Sequence, residues 1–201
     1  MLGHQPQTRM PSVWPNKVLV EARDEVEEIA NYLRDVIHDL RPFMMVYNNG
    51  FNSERTYELL DKHLPEGSIS GQKQMFIADI MRLATLFDAE TTSGKMNLQL
   101  KIVTTDMCRL FHVDSYRQRL LCTYLGPGTE WLDHSNVERK AIGKGSNENI
   151  VKDITAINRA NAFDVLMLKG KKYGKGELAV VHRSPPIVLH NKTRVLLKID
   201  E

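Results

Sequence analysis

The sequence is poor in the features that place a chain in a specialised class of protein. It has 2 cysteines in 201 residues, too few for a disulfide framework and typical of a reducing compartment. No stretch approaches the roughly 18 consecutive apolar residues of a membrane-spanning helix. Residues 1–17 contain no apolar run that resembles a signal peptide. We therefore expect a cytoplasmic protein that does not enter a membrane.

The chain also lacks an excess of charge of either sign. Its 27 basic and 25 acidic residues give a formal net charge of +2. Such a balance provides no general attraction for nucleic acid, so we do not expect a nucleic-acid partner. The hydrophobic content of 42% is ordinary for a soluble protein. A chain of this length buries roughly 70% of the surface that its unfolded form exposes, and it fits one domain.

Apolar residues in the first half of the chain recur at the three- and four-residue spacing of amphipathic helices. The predicted helices cover residues 21–40, 54–64 and 72–88. We interpret their apolar stripes as core packing. The chain then divides into a flexible arm at residues 1–17, a helical region at residues 18–93 and a strand-rich region at residues 94–201. All three belong to one compact domain.

The second half of the chain shows the alternating pattern of β-strands, first at Leu98, Leu100 and Ile102. The predicted strands cover residues 98–103, 117–125, 129–132, 163–168, 177–183 and 193–200. Residues 133–152 are polar and unpatterned, and a loop of that length is usually functional or mobile. Helices followed by many short strands predict an α+β fold with a sandwich or jelly roll as its main body.

Two of the strand-like segments carry residues that can bind a metal ion. His112 and Asp114 are two residues apart, so their side chains share one face if this segment is extended. His182 lies on a later predicted strand, and Arg194 lies on the next. Two imidazoles and one carboxylate on one face of a metal form the facial triad of non-heme Fe(II) oxygenases. The guanidinium of Arg194 suits bidentate binding of a carboxylate.

Two other interpretations of these residues stay open. Cys108 lies four positions before His112 and is a possible soft ligand that would favour Zn(II), although a lone cysteine is more often a small buried hydrophobe. In that case the chain is a non-catalytic zinc-binding protein. The simplest interpretation is a jelly-roll interaction domain without a metal, in which the histidines have only local partners and do not converge.

The order of His112, Asp114, His182 and Arg194 resembles that of the iron- and 2-oxoglutarate-dependent dioxygenase superfamily. This resemblance implies a double-stranded β-helix, a jelly roll, buttressed by the N-terminal helices. It implies that His112, Asp114 and His182 bind Fe(II) and that Arg194 anchors the carboxylate of 2-oxoglutarate. It also suggests that Tyr124 adds a hydrogen bond to that carboxylate. The implied activity is oxidation of a small-molecule or protein substrate, and the sequence leaves the oligomeric state open.

A closer resemblance is to an uncharacterised bacterial family, a domain of unknown function. It is carried by residues Cys108 to Trp131 and His182 to Ile187, which include the blocks Phe-His-x-Asp and His-Arg-Ser-Pro-Pro. That family has been associated with zinc homeostasis through its genomic neighbourhood. Zn(II) is therefore the alternative to Fe(II) in our expectations.

Overall fold

Two antiparallel β-sheets form the body of the protein in a computed structural model that describes residues 18–91, 93–174 and 179–201. In chain order the strands are β1 (Val18–Glu21), β2 (Phe43–Tyr47), β3 (Met96–Val103), β4 (Gln118–Leu125), β5 (Glu130–Leu132), β6 (Asn158–Arg159), β7 (Val165–Lys169), β8 (Val181–Arg183) and β9 (Arg194–Asp200). The larger sheet has six strands in the order β1-β7-β4-β9-β3-β2, and the smaller has three in the order β6-β5-β8.

Three helices cover one face of the larger sheet: α1 (Glu27–Val36), α2 (Ser53–His63) and α3 (Gln72–Glu90). A short helix, α4 (Asn147–Ile150), follows β5 and packs in a separate cluster. Leu33 of α1 and Phe76 of α3 share a buried core with Leu98 of β3 and Leu197 of β9. Because successive strand residues point to opposite faces, the intervening residues of β3, β4 and β9 face the smaller sheet. No helix in the described ranges has the length and apolar character needed to cross a membrane.

This architecture confirms the predicted α+β class, with a jelly-roll-like core of antiparallel strands. The positions of α2, α3, β3, β4 and β9 agree with the predicted elements to within two residues at each end. These are the elements with the longest regular hydrophobic patterns, and most of their packing is on the shared core. The predicted arm at residues 1–17 and the start of the strand predicted at residues 177–183 lie outside the described residues.

The prediction for residues 18–93 needs correction, because this segment is not purely helical. The helix predicted at residues 21–40 begins only at Glu27, and Val18–Glu21 is a strand paired with β7. The sequence analysis also missed β2, which pairs with β3. Both strands are short edge strands with half-exposed faces, so their conformation depends on the neighbouring strand more than on their own pattern.

A buried polar cluster joins α3 to the sheet on the helical side. Asp79 of α3 accepts a hydrogen bond of 2.7 Å from Nη1 of Arg23 and another of 2.7 Å from the hydroxyl of Tyr124. Burial opposes the charge on Asp79, but these hydrogen bonds hold its pKa below the usual value. The ring of Tyr124 packs edge-on against Phe76 and Phe163. Tyr124 therefore faces the helices, which corrects the prediction that it binds a co-substrate.

The position of Tyr124 can be tested with Tyr124→Phe, which keeps the ring and removes the hydroxyl. We expect the free energy of unfolding to fall by about 1.5–3 kcal/mol, the usual value of a hydrogen bond to a charged group. Divalent-metal affinity should not change, because the ring lies on the helix-facing side of β4. Denaturant unfolding and a metal titration measure the two quantities. A folded variant with much weaker metal binding would contradict this placement.

Candidate metal centre

The two candidate histidine ligands lie opposite each other on neighbouring antiparallel segments. The amide nitrogen of His112 donates to the carbonyl of His182 at 3.0 Å, and the reverse hydrogen bond measures 2.9 Å. This reciprocal pair brings the centroids of the imidazole rings to 4.7 Å from each other. His182 belongs to β8, whereas His112 forms only an isolated bridge. The extended strand that we predicted at His112 and Asp114 is therefore reduced to a single paired residue.

Asp114 completes the group from an irregular segment before β4. One of its carboxylate oxygens, Oδ2, lies 3.1 Å from Nε2 of His182, and the other, Oδ1, lies 3.8 Å from Nε2 of His112. One ligand atom from each of the three residues lies within 4.8 Å of the others, close enough for one ion to bind all three. The structure therefore brings the three predicted ligands together.

Gly170 allows the chain to pass close to this irregular segment. The amide of Lys171, its neighbour, donates to the main-chain carbonyl of Asp114 at 2.8 Å. A Cβ atom at Gly170 would lie only 2.0 Å from the carbonyl oxygen of Tyr116. A larger residue would force the two segments apart, so glycine at this position helps to fix the backbone that carries Asp114.

Main-chain carbonyls orient both imidazoles. Nδ1 of His112 lies 2.8 Å from the carbonyl of Leu110, and Nδ1 of His182 lies 3.2 Å from the carbonyl of Val180. A carbonyl can only accept, so Nδ1 carries a proton in each ring. In the neutral form, Nε2 presents its lone pair to the site; in the protonated form, Nε2 of His182 donates to Asp114. This is the outer-shell arrangement of metal-binding histidines. Burial and the charge of His182 lower the pKa of His112, which favours the neutral form that a ligand requires.

Arg119, which the sequence analysis missed, orients the carboxylate ligand. It donates a hydrogen bond from Nη1 to Oδ2 of Asp114 and two more to Asp200, at 2.5 Å from Nε and 3.1 Å from Nη2. Burial opposes ionisation of Asp114, but the hydrogen bond from His182 and the charges of His182 and Arg119 hold its pKa well below the usual range. Asp114 is therefore an ionised ligand held by a second charged group.

Arg194 is a buried cation whose hydrogen-bond partners are neutral hydroxyls, two of which belong to residues that line the cavity beside the triad. Its side chain is 1% exposed and donates to three hydroxyls, those of Ser184 at 2.6 Å, Thr123 at 3.1 Å and Thr129 at 3.2 Å. Its Nε has no hydrogen-bond partner, and no carboxylate in the described part of the chain forms an ion pair with it. Burial lowers the pKa of Arg194 to about 10. Burial of a charge that forms no ion pair is costly, so this arginine does not have an obvious role in stability.

A cavity of about 240 Å³ opens in front of the triad, between the two sheets. Besides the three candidate ligands it is lined by residues of the larger sheet and of the facing loops, among them Lys101, Leu121, Lys198, Cys108, Thr129 and Ser184. Two hydroxyl partners of Arg194 thus share one cavity with the triad. Cys108 is exposed on this wall and does not belong to the group of three, so a fourth thiolate ligand is absent from the described geometry.

The loop at residues 133–152 supports the segment that carries His112. Val137 and Ile150 of this loop pack with Phe111 in a small buried cluster. The side chain of Asn147, at the start of α4, accepts a hydrogen bond from the amide of Phe111 at 2.8 Å and donates to the carbonyl of Arg109 at 3.0 Å. The loop therefore holds the segment that carries His112 in place. The polar sequence of residues 133–152 contains no pattern that predicts these contacts.

Comparison with solved structures first identifies the fold. The structure matches a dioxygenase for auxin oxidation from rice with a TM-score of 0.55 and 11% identity, over 92% of this chain and 73% of that one. It also matches the Fe(II)/α-ketoglutarate-dependent dioxygenase TqaL with a TM-score of 0.47 and 14% identity, over 92% and 82% of the two chains. At such identities the first match shows a dioxygenase-like fold. Among curated proteins, none matches the sequence.

The chain belongs to the family described as "Protein of unknown function (DUF1826)", which it matches over residues 12–200. This confirms the resemblance to a domain of unknown function that the sequence indicated, and the dioxygenase-like fold agrees with the resemblance to the dioxygenase superfamily.

Proposed function

We propose that this protein is an oxygenase that depends on Fe(II) and 2-oxoglutarate. The observation that carries the proposal is one cavity that combines the triad His112, Asp114 and His182 with the hydroxyl partners of the unpaired Arg194. A metal triad and a site for a carboxylate are the two elements that this chemistry requires. The dioxygenase-like fold supports the same conclusion, with the two sheets in the roles of a double-stranded β-helix.

The donor set fits Fe(II). Nε2 of His112, Nε2 of His182 and a carboxylate oxygen of Asp114 would hold the ion, and the remaining coordination positions would stay open for 2-oxoglutarate and dioxygen. Arg119 would keep Asp114 oriented while one carboxylate oxygen binds the metal. Loop residue Cys108 lies outside the group, so a closed tetrahedral zinc site is the less favoured arrangement.

Arg194 would bind the carboxylate of 2-oxoglutarate remote from the metal, together with Ser184 and Thr129. Their hydroxyls already bind the guanidinium, so they fix its orientation and limit the reorganisation on binding. Fe(II) and 2-oxoglutarate, when bound there, would supply the oxidation, in which dioxygen converts 2-oxoglutarate to succinate and CO2 and hydroxylates a substrate C–H bond. The protein binds, orients and excludes water.

An anaerobic titration of metal-stripped protein tests the proposal. Fe(II) is added first and 2-oxoglutarate second, while the visible charge-transfer absorption of the chelated co-substrate is recorded. We expect a band that requires both additions. Tight Zn(II) binding without such a band would favour a zinc-binding protein, and failure to bind any divalent metal would show that the triad is not a metal site.

A further inference from the structure

The cavity wall formed by the larger sheet carries positive charge that the triad does not use. Lys101 of β3 and Lys198 of β9 both line the cavity. Lys101 pairs with Leu196 and Lys198 pairs with Gln99 in the register of β3 and β9, so the two lysines are diagonal neighbours on one face. Side chains in this relation lie within reach of a shared small ligand. Both lysine side chains thus lie on the same wall of the cavity.

The two carboxylates near these lysines, Asp114 and Asp200, already form ion pairs with Arg119. Asp200 is 2% exposed and binds Arg119 as well as Nζ of Lys198, the latter at 3.0 Å. Asp114 binds Arg119 and is also a candidate metal ligand. In the described ranges no carboxylate forms an ion pair with Lys101. Burial and the charges of Arg119 and Lys101 lower the pKa of Lys198, in agreement with an excess of positive charge at this wall.

The charge balance of the complete site leaves room for a further anion. In and directly behind the cavity wall, the cations Lys101, Arg119, Arg194 and Lys198 outnumber the carboxylates Asp114 and Asp200 by two. A divalent ion at the triad would raise the excess to four, and the dianion 2-oxoglutarate would return it to two. Arg183, the other cation of the wall, is paired with Glu130 at 2.6 Å. Uncompensated charge that is partly removed from solvent is costly, so the excess favours an anionic ligand.

The same cavity also has an apolar surface between the lysines and the loops. Val103, Leu121 and Leu196 line it from the larger sheet, and Met107 lines it from the facing loop. A ligand with only charged groups would leave these side chains against water. A ligand that combines one anionic group with an apolar body would satisfy both parts of the wall.

We infer that the primary substrate is a small amphipathic organic anion. Its carboxylate or phosphate group is bound by Lys101 and Lys198, and its apolar part packs on Leu121 and Leu196 beside the triad. The identification of this ligand as a substrate rests on the proposed oxygenase function. Binding of the anion does not depend on that function, because the lysines belong to the sheet and are in place without a metal.

Calorimetric titrations of metal-stripped, full-length protein with benzoate and with phenyl phosphate test the inference. These probes have the same apolar ring and differ in the anionic group, so their relative affinities distinguish a carboxylate from a phosphate ligand. We expect one of the two probes to bind. Lys101→Met should lower the affinity for that probe about tenfold or more, because it removes one charge-assisted hydrogen bond. Lys101 has no ion pair within the described ranges, so its replacement should not disturb folding.

Matched variants make the result specific. Lys62→Met removes an exposed lysine of α2, on the other side of the molecule, and should leave the affinity unchanged. Arg194→Met should bind the probe with unchanged affinity. The inference is overturned if neither probe binds, if Lys101→Met binds as wild type does, if Lys62→Met weakens binding equally, or if only Arg194→Met loses it. Because no metal or 2-oxoglutarate is present, these outcomes are independent of the iron titration.

Discussion

His182→Ala is expected to abolish tight divalent-metal binding while the protein remains folded. The imidazole supplies one of the three ligand atoms that lie within 4.8 Å of one another. Changes to outer-shell partners alone usually cost about 10- to 100-fold in metal affinity, so loss of a direct ligand should cost more than about 100-fold. The main-chain hydrogen bonds between His182 and His112 do not involve the side chain and should persist.

A competitive titration against a chromophoric chelator measures this affinity, and thermal unfolding gives an independent measurement. Wild-type protein should gain about 2.7 kcal/mol of stability when free metal is 100 times Kd, and the variant should gain almost nothing. His38→Ala, at an exposed position just after α1, is the matched control and should behave as wild type. If folded His182→Ala binds the metal as tightly as wild type does, the metal binds elsewhere and the triad is not the metal site.

The sequence predicted the triad for a reason that was only partly right. The two-residue spacing of His112 and Asp114 suggested one face of a strand, but Asp114 lies in an irregular segment and His112 forms an isolated bridge. The group converges because main-chain hydrogen bonds join His112 to His182 and because Arg119 holds Asp114. Such contacts between distant segments depend on tertiary structure, which local spacing does not encode.

The wrong prediction for Tyr124 has a different physical cause. Strand β4 is buried on nearly its whole length, so its sequence lacks the alternation of polar and apolar residues that would identify its two faces. Tyr124 shares the helix-facing side with Leu120 and Cys122, whereas Thr123 faces Arg194. Only the pairing of β4 with its neighbours decides which residues face the cavity.

Arg194→Met should abolish binding of 2-oxoglutarate and leave metal affinity unchanged. The guanidinium offers a planar pair of donors to a carboxylate, and each hydrogen bond between charged groups contributes about 1.5–3 kcal/mol. We therefore expect the affinity for 2-oxoglutarate to fall at least about 100-fold. Arg194 contributes no ligand atom to the triad, so the metal site remains. The charge-transfer band after anaerobic addition of Fe(II) and 2-oxoglutarate measures the first effect, and a chelator titration measures the second.

The stability of Arg194→Met distinguishes a binding role from a structural one. The arginine is buried, its partners are neutral hydroxyls and its Nε is unpaired, so replacing it with an apolar side chain of similar length removes an uncompensated charge. Replacement of buried ionic groups by apolar residues is often neutral or stabilising. We expect the free energy of unfolding to be unchanged or higher. A strongly destabilised variant would show instead that Arg194 mainly holds Ser184 and Thr129 in place.

Two further variants make the assignment to Arg194 specific. Arg194→Lys keeps the charge but not the planar pair of donors, so its affinity for 2-oxoglutarate should lie between those of wild type and Arg194→Met. Arg55→Met, at an exposed position of α2, removes the same charge and should have no effect. Full affinity in Arg194→Met would move the co-substrate carboxylate to Lys101 and Lys198, farther along the same face of the larger sheet. 2-Oxoglutarate and the inferred anionic substrate would then compete for the same two lysines, and the substrate inference would have to be abandoned.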